Sequence, residues 1–325
     1  MVEGDIAVEP TIAVLLATYE PNEAWLEELL DSLNTQTYPS LRLYVRDDAS
    51  PTFTLDRLET LLREHITKFS FSIARNEKNL GSNGTFEELV RDCHEEYIVF
   101  CDQDDIWLPS KIENTYRLFC ESELSPTLVC ANVSVIDGDG KETAPRIDKN
   151  RRRHVFSRGN GLDKALIYRN FVMGCTLLME RERALSYLPF PDGIVHDHYL
   201  AYRAALDGAL DYLDEPQMRY RIYGGNQTGV MTGVNSKDDY RKRRIDVFLH
   251  RVECFATYAS TEEIERARAW GQARLANFNR EKGAIRKLWR LRKVSKSVTL
   301  FELVALRLPT PLFRWAIRLI QRGKI

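Results

Sequence analysis

The chain has 325 residues, of which 44% are hydrophobic and 29% are charged, and its formal net charge is −1. This composition excludes a disordered chain and indicates a globular protein with one large domain or two ordinary ones. Because the net charge is close to zero, we expect no nucleic-acid partner. The six cysteines show no C-x-x-C pair and no zinc-type Cys/His spacing, which favours buried thiols in a reducing compartment.

We expect neither a targeting signal nor a membrane-spanning segment. The N-terminal sequence MVEGDIAVEP has no basic segment followed by an apolar one, so it does not predict a secretory signal. No uncharged apolar run reaches the roughly 18 residues that a spanning helix needs. Together these features favour a cytoplasmic location.

Apolar strands alternate with helices in the first third of the chain. The strands are predicted at residues 11–17, 41–45, 69–73 and 97–101. An amphipathic helix is predicted after each of the first three strands, and this order implies right-handed crossovers and a mostly parallel sheet. Polar residues follow three of the strands, at 18–19, 47–48 and 102–105. Because the carboxyl ends of parallel strands share one edge of the sheet, we expect a nucleotide site there.

The stretch YIVFCDQDDIW, residues 97–107, is the most informative part of the sequence. Its first five residues are apolar or aromatic and predict a strand that is buried on both faces. Asp102, Asp104 and Asp105 follow, and their carboxylates repel one another unless a cation such as Mg²⁺ or Mn²⁺ lies between them. The alternative is a solvated acidic loop, but the apolar residues at 106–108 favour the metal site.

The pattern changes after this stretch, and further elements are predicted up to residue 229. They are a strand at 128–136, a mobile loop at 144–162, a buried strand at 172–179, a helix from 193 to 206, short strands at 210–213 and 216–223, and a loop at 224–229. The glycine inside the strand at 172–179 indicates that another group approaches the backbone closely. From residue 236 onward the pattern predicts helices.

Six motifs, in this order, resemble the family-2 glycosyltransferases. They are TYE, DDAS, NLGSNGTF, CDQDDIW, HDHYLA and YLDEPQMRYR-x-YGGNQTG. The spelling DQDDIWLPSKI is most similar to the rhamnosyltransferase-like branch of that family. The resemblance covers about residues 11–230 and implies the GT-A fold, an α/β fold with a Rossmann-like, mostly parallel central sheet flanked by helices. We therefore expect a catalytic domain over residues 1–235 and a basic, amphipathic helical region over 236–325.

The resemblance implies a donor site at the sheet edge. Asp48 matches the aspartate that hydrogen-bonds a pyrimidine base, Asp102 matches the ribose contact, and Asp104 matches the metal ligand that bridges the diphosphate. The residues expected to bind the donor are Thr18, Tyr19, Glu20, Asp48, Arg75, Asp102 and Gln103. From the residues alone, Asp48 could equally be a turn former, Tyr19 a core aromatic residue and Arg75 a surface charge.

The resemblance also implies the catalytic base. Asp197 matches the carboxylate that, in inverting members, takes the proton of the acceptor hydroxyl as it attacks the sugar, while Mg²⁺ or Mn²⁺ holds the phosphates. The acceptor and sugar pocket is expected to contain Asp105, Trp107, His196 and His198. The alternative roles are a core tryptophan and packing or orienting histidines. Related sequences often carry a metal-binding histidine near Tyr223, and its absence leaves the third metal ligand open.

The implied function is a metal-dependent inverting glycosyltransferase. It would move L-rhamnose from dTDP-L-rhamnose to a hydroxyl of a bacterial-type surface polysaccharide or lipid-linked glycan. The alternatives are a UDP-hexose donor on the same fold, a nucleotidyltransferase, or a non-catalytic glycan- or membrane-binding module. The sequence TYEPNE is not the Gly-rich loop of nucleotidyltransferases, and the retained Asp102, Asp104 and Asp197 argue against a non-catalytic module.

The C-terminal segment, residues 280–325, has thirteen Lys and Arg against two Glu, a local charge of +11. Pro309 and Pro311 are expected to divide its last part into two short helices. Basic residues beside Trp and Phe are typical of helices that lie in the plane of an anionic membrane surface. We expect residues 284–325 to bind the cytoplasmic face of a membrane; the alternative is packing on the catalytic domain or on a second subunit, as in a homodimer.

Overall fold

The computed structural model describes residues 9–150, 154–223, 231 and 233–321. The loop predicted at 224–229 lies outside these residues. The chain divides into two compact units. The first unit contains Met1–Leu166 and Asn170–Tyr223, and the second contains Ile167–Arg169 and Gly224–Ile325.

A mixed sheet forms the centre of the first unit. Its strands are β1 Ile12–Thr18, β2 Leu41–Asp47, β3 Ser70–Arg75, β4 Tyr97–Cys101, β5 Ile106–Trp107, β6 Leu128–Ile136, β7 Glu142–Ala144, β8 Leu178–Glu180 and β9 Leu210–Arg221. Their order is β3-β2-β1-β4-β8-β6-β9-β5, and β7 pairs with β6. Strands β1 to β4 are parallel, as predicted, whereas β5, β7 and β8 are antiparallel to their neighbours.

Helices cover this sheet. They are α1 Glu23–Asn34, α2 Leu55–His65, α3 Gly81–Asp92, α4 Lys111–Glu121, α5 Ile147–Asn150, α6 Asp163–Leu166, α7 Arg181–Ser186 and α8 His196–Asp207. Residues 12–16 of β1 and all of β6 are buried, as expected for inner strands of a sheet flanked by helices. The side chain of Asn22 accepts a hydrogen bond from Trp25 N at 3.3 Å and caps the N-terminus of α1.

Three of the predicted strands differ from the structure in detail. Within 172–179, residues Gly174–Thr176 form a 3₁₀ turn and only the last part belongs to β8. The N–H groups of Thr176 and Leu177 bond back to the carbonyls of Met173 and Gly174, which an extended strand cannot do. The two strands predicted at 210–213 and 216–223 form one strand, β9, whose register against β6 shifts at Pro216 because proline has no N–H.

The second unit is helical, as the sequence predicts from residue 236 onward. Its elements are α9 Lys237–Tyr240, a π-helical turn Arg241–Asp246, α10 Val247–Ala256, α11 Glu262–Phe278, α12 Ala284–Arg290, α13 Lys296–Ala305 and α14 Thr310–Gln321. Pro309 and Pro311 lie between α13 and α14 and in the first turn of α14, so the predicted division into two helices is confirmed. None of the helices in the described residues combines the length and apolarity that a bilayer crossing demands.

Candidate active site

Asp48 closes the turn after β2 and caps helix α3. Its carboxylate accepts hydrogen bonds from the N–H groups of Leu80 and Gly81, at 2.7 and 2.9 Å, and from the Asn76 amide at 2.8 Å. Only 4% of Asp48 is exposed. A carboxylate at this place satisfies N–H groups that the first turn of a helix leaves unbonded, and it complements the helix dipole. Asp48 therefore has a structural role, and its predicted hydrogen bond to the pyrimidine base of the donor stays a prediction.

Arg75 stabilises the same turn. Its Nε lies 3.4 Å from Asp47 Oδ2, and its Nη2 donates to the carbonyl of Ser50. Ser50 in turn donates to Asp47 from its N–H and its hydroxyl, at 2.9 and 2.5 Å. Ala49, with φ +58°, is in the left-handed region that this tight turn requires. Arg75 therefore supports the turn that presents Asp48 at the edge of the sheet.

The segment after β1 joins the turn after β4. The Gln103 side chain accepts from Tyr19 N at 2.8 Å and donates to Tyr19 O at 3.1 Å. The Tyr19 ring is 45% exposed and is available for stacking. Thr18 is buried, and its carbonyl accepts a hydrogen bond from Asp48 N at 2.8 Å. Three strand ends thus meet at one edge, as the sequence predicts.

Glu20 has a structural role in this edge. Its carboxylate accepts hydrogen bonds from the N–H groups of Thr52 and Phe53, at 2.7 and 3.0 Å, and from the Thr52 hydroxyl. The hydrogen bond from the Thr52 hydroxyl is the main reason that the pKa of Glu20 lies below its ordinary value. Glu20 therefore connects the loops after β1 and β2, and its contact with a donor stays a prediction.

The acidic loop after β4 is fixed to the end of β9. Arg221 N donates to Asp105 Oδ1 at 2.9 Å, and Arg221 Nε donates to the carbonyl of Asp104 at 2.8 Å. The Arg221 side chain is 1% exposed and pairs with Glu28. Tyr223 donates its hydroxyl to the Asp104 carboxylate, and its ring centre lies 4.7 Å from that of Trp25. Tyr223 therefore orients the residue expected to bind the metal.

The carboxylates of this loop hold their protons more tightly than usual. Burial, with smaller contributions from the charges of Asp104 and Asp197, raises the pKa of Asp102 to about 7. Burial also raises the pKa of Asp104 and, well above its ordinary value, that of Asp105. Such shifts indicate negative charge that the protein compensates only in part, and a bound divalent cation would compensate the rest.

Three residues bring possible metal-binding atoms together. One atom each of Asp102, Asp105 and Cys175 lies within 4.8 Å of the other two. One oxygen of Asp105, which is fully buried, has no hydrogen-bond partner among the residues that the structure describes. Burial raises the pKa of the Cys175 thiol well above its ordinary value, so the thiol stays protonated and is a weak ligand. The carboxylates therefore fit a hard divalent cation, and the assignment of Asp104 as its ligand stays a prediction.

Lys111 lies beneath this loop. Its side chain is buried, and its Nζ donates to the carbonyl of Cys175 at 2.6 Å and lies 2.9 Å from the centre of the Trp107 ring. Burial lowers the pKa of Lys111 to about 7.

An open cleft of about 390 Å³ lies between α1, β5 and β9, and Trp107, which is 2% exposed, is one of the residues that line it. Asp102, Asp104 and Asp197 are not in the lining of that cleft, so we do not assign it to the donor.

Asp197 lies in the first turn of helix α8, and hydrogen-bond donors surround its carboxylate. Its Oδ1 accepts from the Asn170 amide at 3.0 Å and from His198 N at 2.6 Å, and its Oδ2 accepts from Gly174 N at 3.2 Å. A Cβ at position 174 would lie 2.9 Å from His196 Nε2, so glycine allows the close approach that the sequence indicates. Burial raises the pKa of Asp197 to about 6, which suits a general base at neutral pH.

The two histidines beside Asp197 pack inside the first unit. The His196 ring is 7% exposed and its centre lies 4.5 Å from that of Phe86 and 5.4 Å from that of Phe100. Burial lowers the pKa of His196 to about 3, so its ring is neutral. His198 is 4% exposed, and its Nε2 lies 2.6 Å from the carbonyl of Leu166. Both positions correspond to the packing alternative for these residues, and their role in a sugar pocket stays a prediction.

Four side chains of this site escaped the sequence analysis: Lys111, Asn170, Arg221 and the Tyr223 hydroxyl as a partner of Asp104. Arg221 and Lys111 offered a signal, because Arg221 is a long cation within a predicted strand and Lys111 closely follows the apolar residues at 106–108. Such cations need partners, and the three aspartates after β4 were the obvious ones. Asn170 offered no signal, since asparagine is common in loops.

A family model and several known proteins match this chain. The model described as Glycosyl transferase family 2 matches residues 13–183. The dTDP-rhamnosyl transferase RfbG of Shigella flexneri is 26% identical over 234 residues, which cover 68% of this chain and 76% of that protein. The UDP-Glc:alpha-D-GlcNAc-diphosphoundecaprenol beta-1,3-glucosyltransferase WfgD of Escherichia coli is 24% identical over 195 residues, which cover 58% of this chain and 67% of that protein.

Solved structures share the fold. S. aureus TarS 1–349 in complex with UDP-GlcNAc aligns with a TM-score of 0.57 at 16% identity, over 97% of this chain and 92% of that one. The mannosyltransferase PcManGT from Pyrobaculum calidifontis, in complex with GDP-Man and Mn²⁺, aligns with a TM-score of 0.58 at 18% identity, over 98% of this chain and 87% of that one. The expected GT-A fold with a helical extension is therefore confirmed.

Proposed function

Since the chain belongs to glycosyl transferase family 2, we propose that it transfers L-rhamnose from dTDP-L-rhamnose, with inversion, to a hydroxyl of a surface polysaccharide or lipid-linked glycan. One observation carries the proposal. The neighbouring residues Gly174 and Cys175 connect Asp197 to the acidic loop: Gly174 N donates to Asp197 Oδ2 at 3.2 Å, and Cys175 Sγ lies within 4.8 Å of carboxylate oxygens of Asp102 and Asp105. A base and a diphosphate-binding loop are the two parts that this reaction needs. The similarity to RfbG supports the choice of donor.

Asp197 acts as the base in this proposal. The oxygen of the acceptor hydroxyl forms a bond to the anomeric carbon of the donor sugar, and the bond from that carbon to the diphosphate oxygen breaks. The hydroxyl proton passes to the Asp197 carboxylate, and dTDP leaves with the electron pair of the broken bond. Because attack and departure are on opposite faces of the sugar, the anomeric configuration inverts. With a pKa of about 6, Asp197 is ionised at neutral pH and can take the proton.

The residues of the acidic loop hold the diphosphate end of the donor. Asp102, Asp104 and Asp105 supply the oxygens that would bind a divalent cation, which when bound offsets the negative charge of the leaving diphosphate. Arg221 keeps this loop in place from β9. The pyrimidine base of the donor would then lie against the exposed Tyr19 ring and the turn that contains Asp48 and is supported by Arg75.

A second candidate donor is a UDP-hexose. It is favoured by the name of WfgD, a UDP-Glc-dependent enzyme, and by the complex of TarS with UDP-GlcNAc. Asp48 cannot distinguish a dTDP-sugar from a UDP-sugar, because uracil and thymine present the same N3–H donor.

A donor panel tests the proposal. The full-length chain with Mn²⁺ is heated in the presence of dTDP-L-rhamnose, UDP-glucose, UDP-GlcNAc, GDP-mannose or ADP, and donor hydrolysis is measured in parallel. We expect the largest rise in melting temperature and the fastest hydrolysis with dTDP-L-rhamnose. A larger effect of a UDP-hexose would select the second candidate, and equal effects of ADP and dTDP-L-rhamnose would contradict both.

We further propose that residues 284–325 attach the enzyme to the cytoplasmic face of a membrane, where a lipid-linked acceptor would lie. Exposed apolar side chains support this proposal: Ile285, Trp289, Leu300, Val304, Leu312 and Trp315. Lys and Arg give the surrounding segment its charge of +11, which complements anionic headgroups. Residues 1–235 would then perform the catalysis. The alternative is that the same apolar side chains form a homodimer.

A further inference from the structure

The segment that precedes β8 folds over the start of α8. Asn170 opens this segment, and its Oδ1 accepts a hydrogen bond from Val172 N at 3.0 Å. Because the oxygen of the amide is used in this local turn, the amide nitrogen is directed away from it. That nitrogen donates to Asp197 Oδ1 at 3.0 Å. The turn of residues 170–172 therefore fixes which end of the Asn170 amide faces the base.

Two backbone groups complete the surroundings of the Asp197 carboxylate. Gly174 N donates to Oδ2 at 3.2 Å, and His198 N donates to Oδ1 at 2.6 Å. Within the described part of the chain, Asn170 is the side chain that donates to this carboxylate. Three donors on two oxygens restrict rotation of the carboxylate, and Asn170 is the donor that a substitution can remove without changing the backbone.

The Asn170 amide also favours the ionised base. Burial raises the pKa of Asp197, and the hydrogen bonds from His198, Gly174 and Asn170 lower it. A hydrogen bond to a carboxylate stabilises its charged form, which is the form that accepts a proton. Loss of the amide would therefore leave the carboxylate less restricted and more often protonated at neutral pH.

We infer that Asn170 is a positioning residue for the reaction, and that its amide holds the carboxylate of Asp197 in the orientation in which it meets the acceptor hydroxyl. This inference rests on the proposed function, because it assumes that Asp197 is the base. Asn170 does not act on the substrate itself. Its effect is carried by the 3.0 Å hydrogen bond to Asp197.

Asn170→Asp separates this role from a merely structural one. The carboxylate of the variant can still accept the hydrogen bond from Val172 N, so the turn is kept. Its second oxygen replaces the amide nitrogen that donates to Asp197, and the two negative charges repel each other. We expect kcat to fall roughly 10- to 100-fold, as for the loss of a hydrogen bond to a charged group. The KM for the nucleotide sugar should change little. The acid limb of the pH profile of kcat should move to higher pH, because a neighbouring negative charge raises the pKa of the base.

The experiment measures kcat, KM and the pH profile of full-length wild type, Asn170→Asp, Asn170→Ala and Asp197→Asn, each checked by thermal melting. Asn170→Ala should show the same loss and replaces Asn170→Asp if that variant does not fold. If Asp197→Asn is inactive while both Asn170 variants keep the wild-type kcat and pH profile, the inference is overturned although the proposed base stands. If Asp197→Asn retains wild-type turnover, the proposed base is wrong and the role of Asn170 is wrong with it.

Discussion

Arg221 Nε donates a hydrogen bond to the backbone carbonyl of Asp104 at 2.8 Å and thereby ties the acidic loop to strand β9. The same guanidinium reaches the carbonyls of Asp137 and Gly138, each at 3.3 Å, and its side chain is 1% exposed. Its cation also lies 5.0 Å from the centre of the Trp25 ring. One buried side chain thus stabilises three segments that meet beside the site.

Replacing Arg221 should destabilise the first unit. In Arg221→Met the half-buried carbonyls of Asp104, Asp137 and Gly138 lose the hydrogen bonds that the guanidinium donates, which at about 1 kcal/mol each predicts a loss of about 3 kcal/mol in the free energy of unfolding. The ion pair between Arg221 and Glu28 contributes little to the free energy of unfolding, because the Glu28 side chain is half exposed. Urea unfolding measures the change. The control is Arg219→Met on the same strand, where the side chain is exposed and a change within about 0.5 kcal/mol is expected.

Turnover should depend on pH through Asp197. Burial raises its pKa to about 6, so the carboxylate is ionised at pH 8 and mostly protonated at pH 5. Because only the ionised form accepts a proton, kcat should be constant above neutral pH and roughly tenfold lower about one unit below the pKa. A base with the ordinary pKa of aspartate would give a flat profile down to about pH 5. Measuring dTDP binding over the same range separates this titration from that of the acidic loop.

The acidic loop should bind Mn²⁺ together with the nucleotide. Few protein oxygens converge there, so the cation should bind weakly alone and more tightly when dTDP supplies phosphate oxygens. Asp102→Asn and Asp104→Asn should each weaken Mn²⁺ binding in the presence of dTDP by about tenfold or more, measured by calorimetry. The control is Asp139→Asn, in an exposed turn after β6. Unchanged Mn²⁺ binding by both loop variants would refute the metal assignment.

The C-terminal helices should bind anionic vesicles. Trp289 and Trp315 are 45% and 61% exposed, so Trp289→Ser combined with Trp315→Ser should weaken sedimentation with liposomes at least tenfold without unfolding the chain. Truncation is a poorer test, because Phe313 and Ile317 of α14 are buried in the core of the second unit. Binding should rise with the anionic lipid content and fall with salt.

The matched control for the tail is Val155→Ser, an exposed apolar residue of the first unit. This variant should sediment like the wild type. Vesicle binding that depends neither on the lipid charge nor on the two tryptophans would contradict the membrane proposal. A wild-type dimer that the tryptophan substitutions dissociate, seen by analytical ultracentrifugation, would favour the homodimer instead.

The sequence predicts the first four strands and the polar edge correctly, because apolar runs that end in Asp47 or Asp102 are strong local signals. The helices of the second unit also follow from local signals, including the two prolines. The strand at 172–179 is partly wrong, because an apolar run does not distinguish a 3₁₀ turn from an extended strand. Strand β5 has two residues, Ile106–Trp107, which is too short for any periodicity to indicate.

The contacts that shape the site are long-range, and this limits what the sequence can predict. Asp48 caps a helix that begins 33 residues later, and Arg221 holds a loop 117 residues earlier. No local pattern encodes such pairs, since they arise only when the sheet brings the strand ends together. The resemblance to a family supplied Asp102, Asp104 and Asp197, but it did not reveal that Tyr223 orients Asp104 or that Asn170 contacts Asp197.

The turnover of Asp197→Asn tests the central claim most directly. The substitution keeps the shape of the side chain and removes the proton acceptor, so kcat should fall by roughly 10²–10⁴. The affinity for the nucleotide sugar, measured by calorimetry with Mn²⁺, should stay within about twofold of the wild type. The control Asp192→Asn changes an exposed carboxylate just before α8 and should retain wild-type turnover. Wild-type turnover of Asp197→Asn, or a loss of the same size in Asp192→Asn alone, would show that the base is another residue.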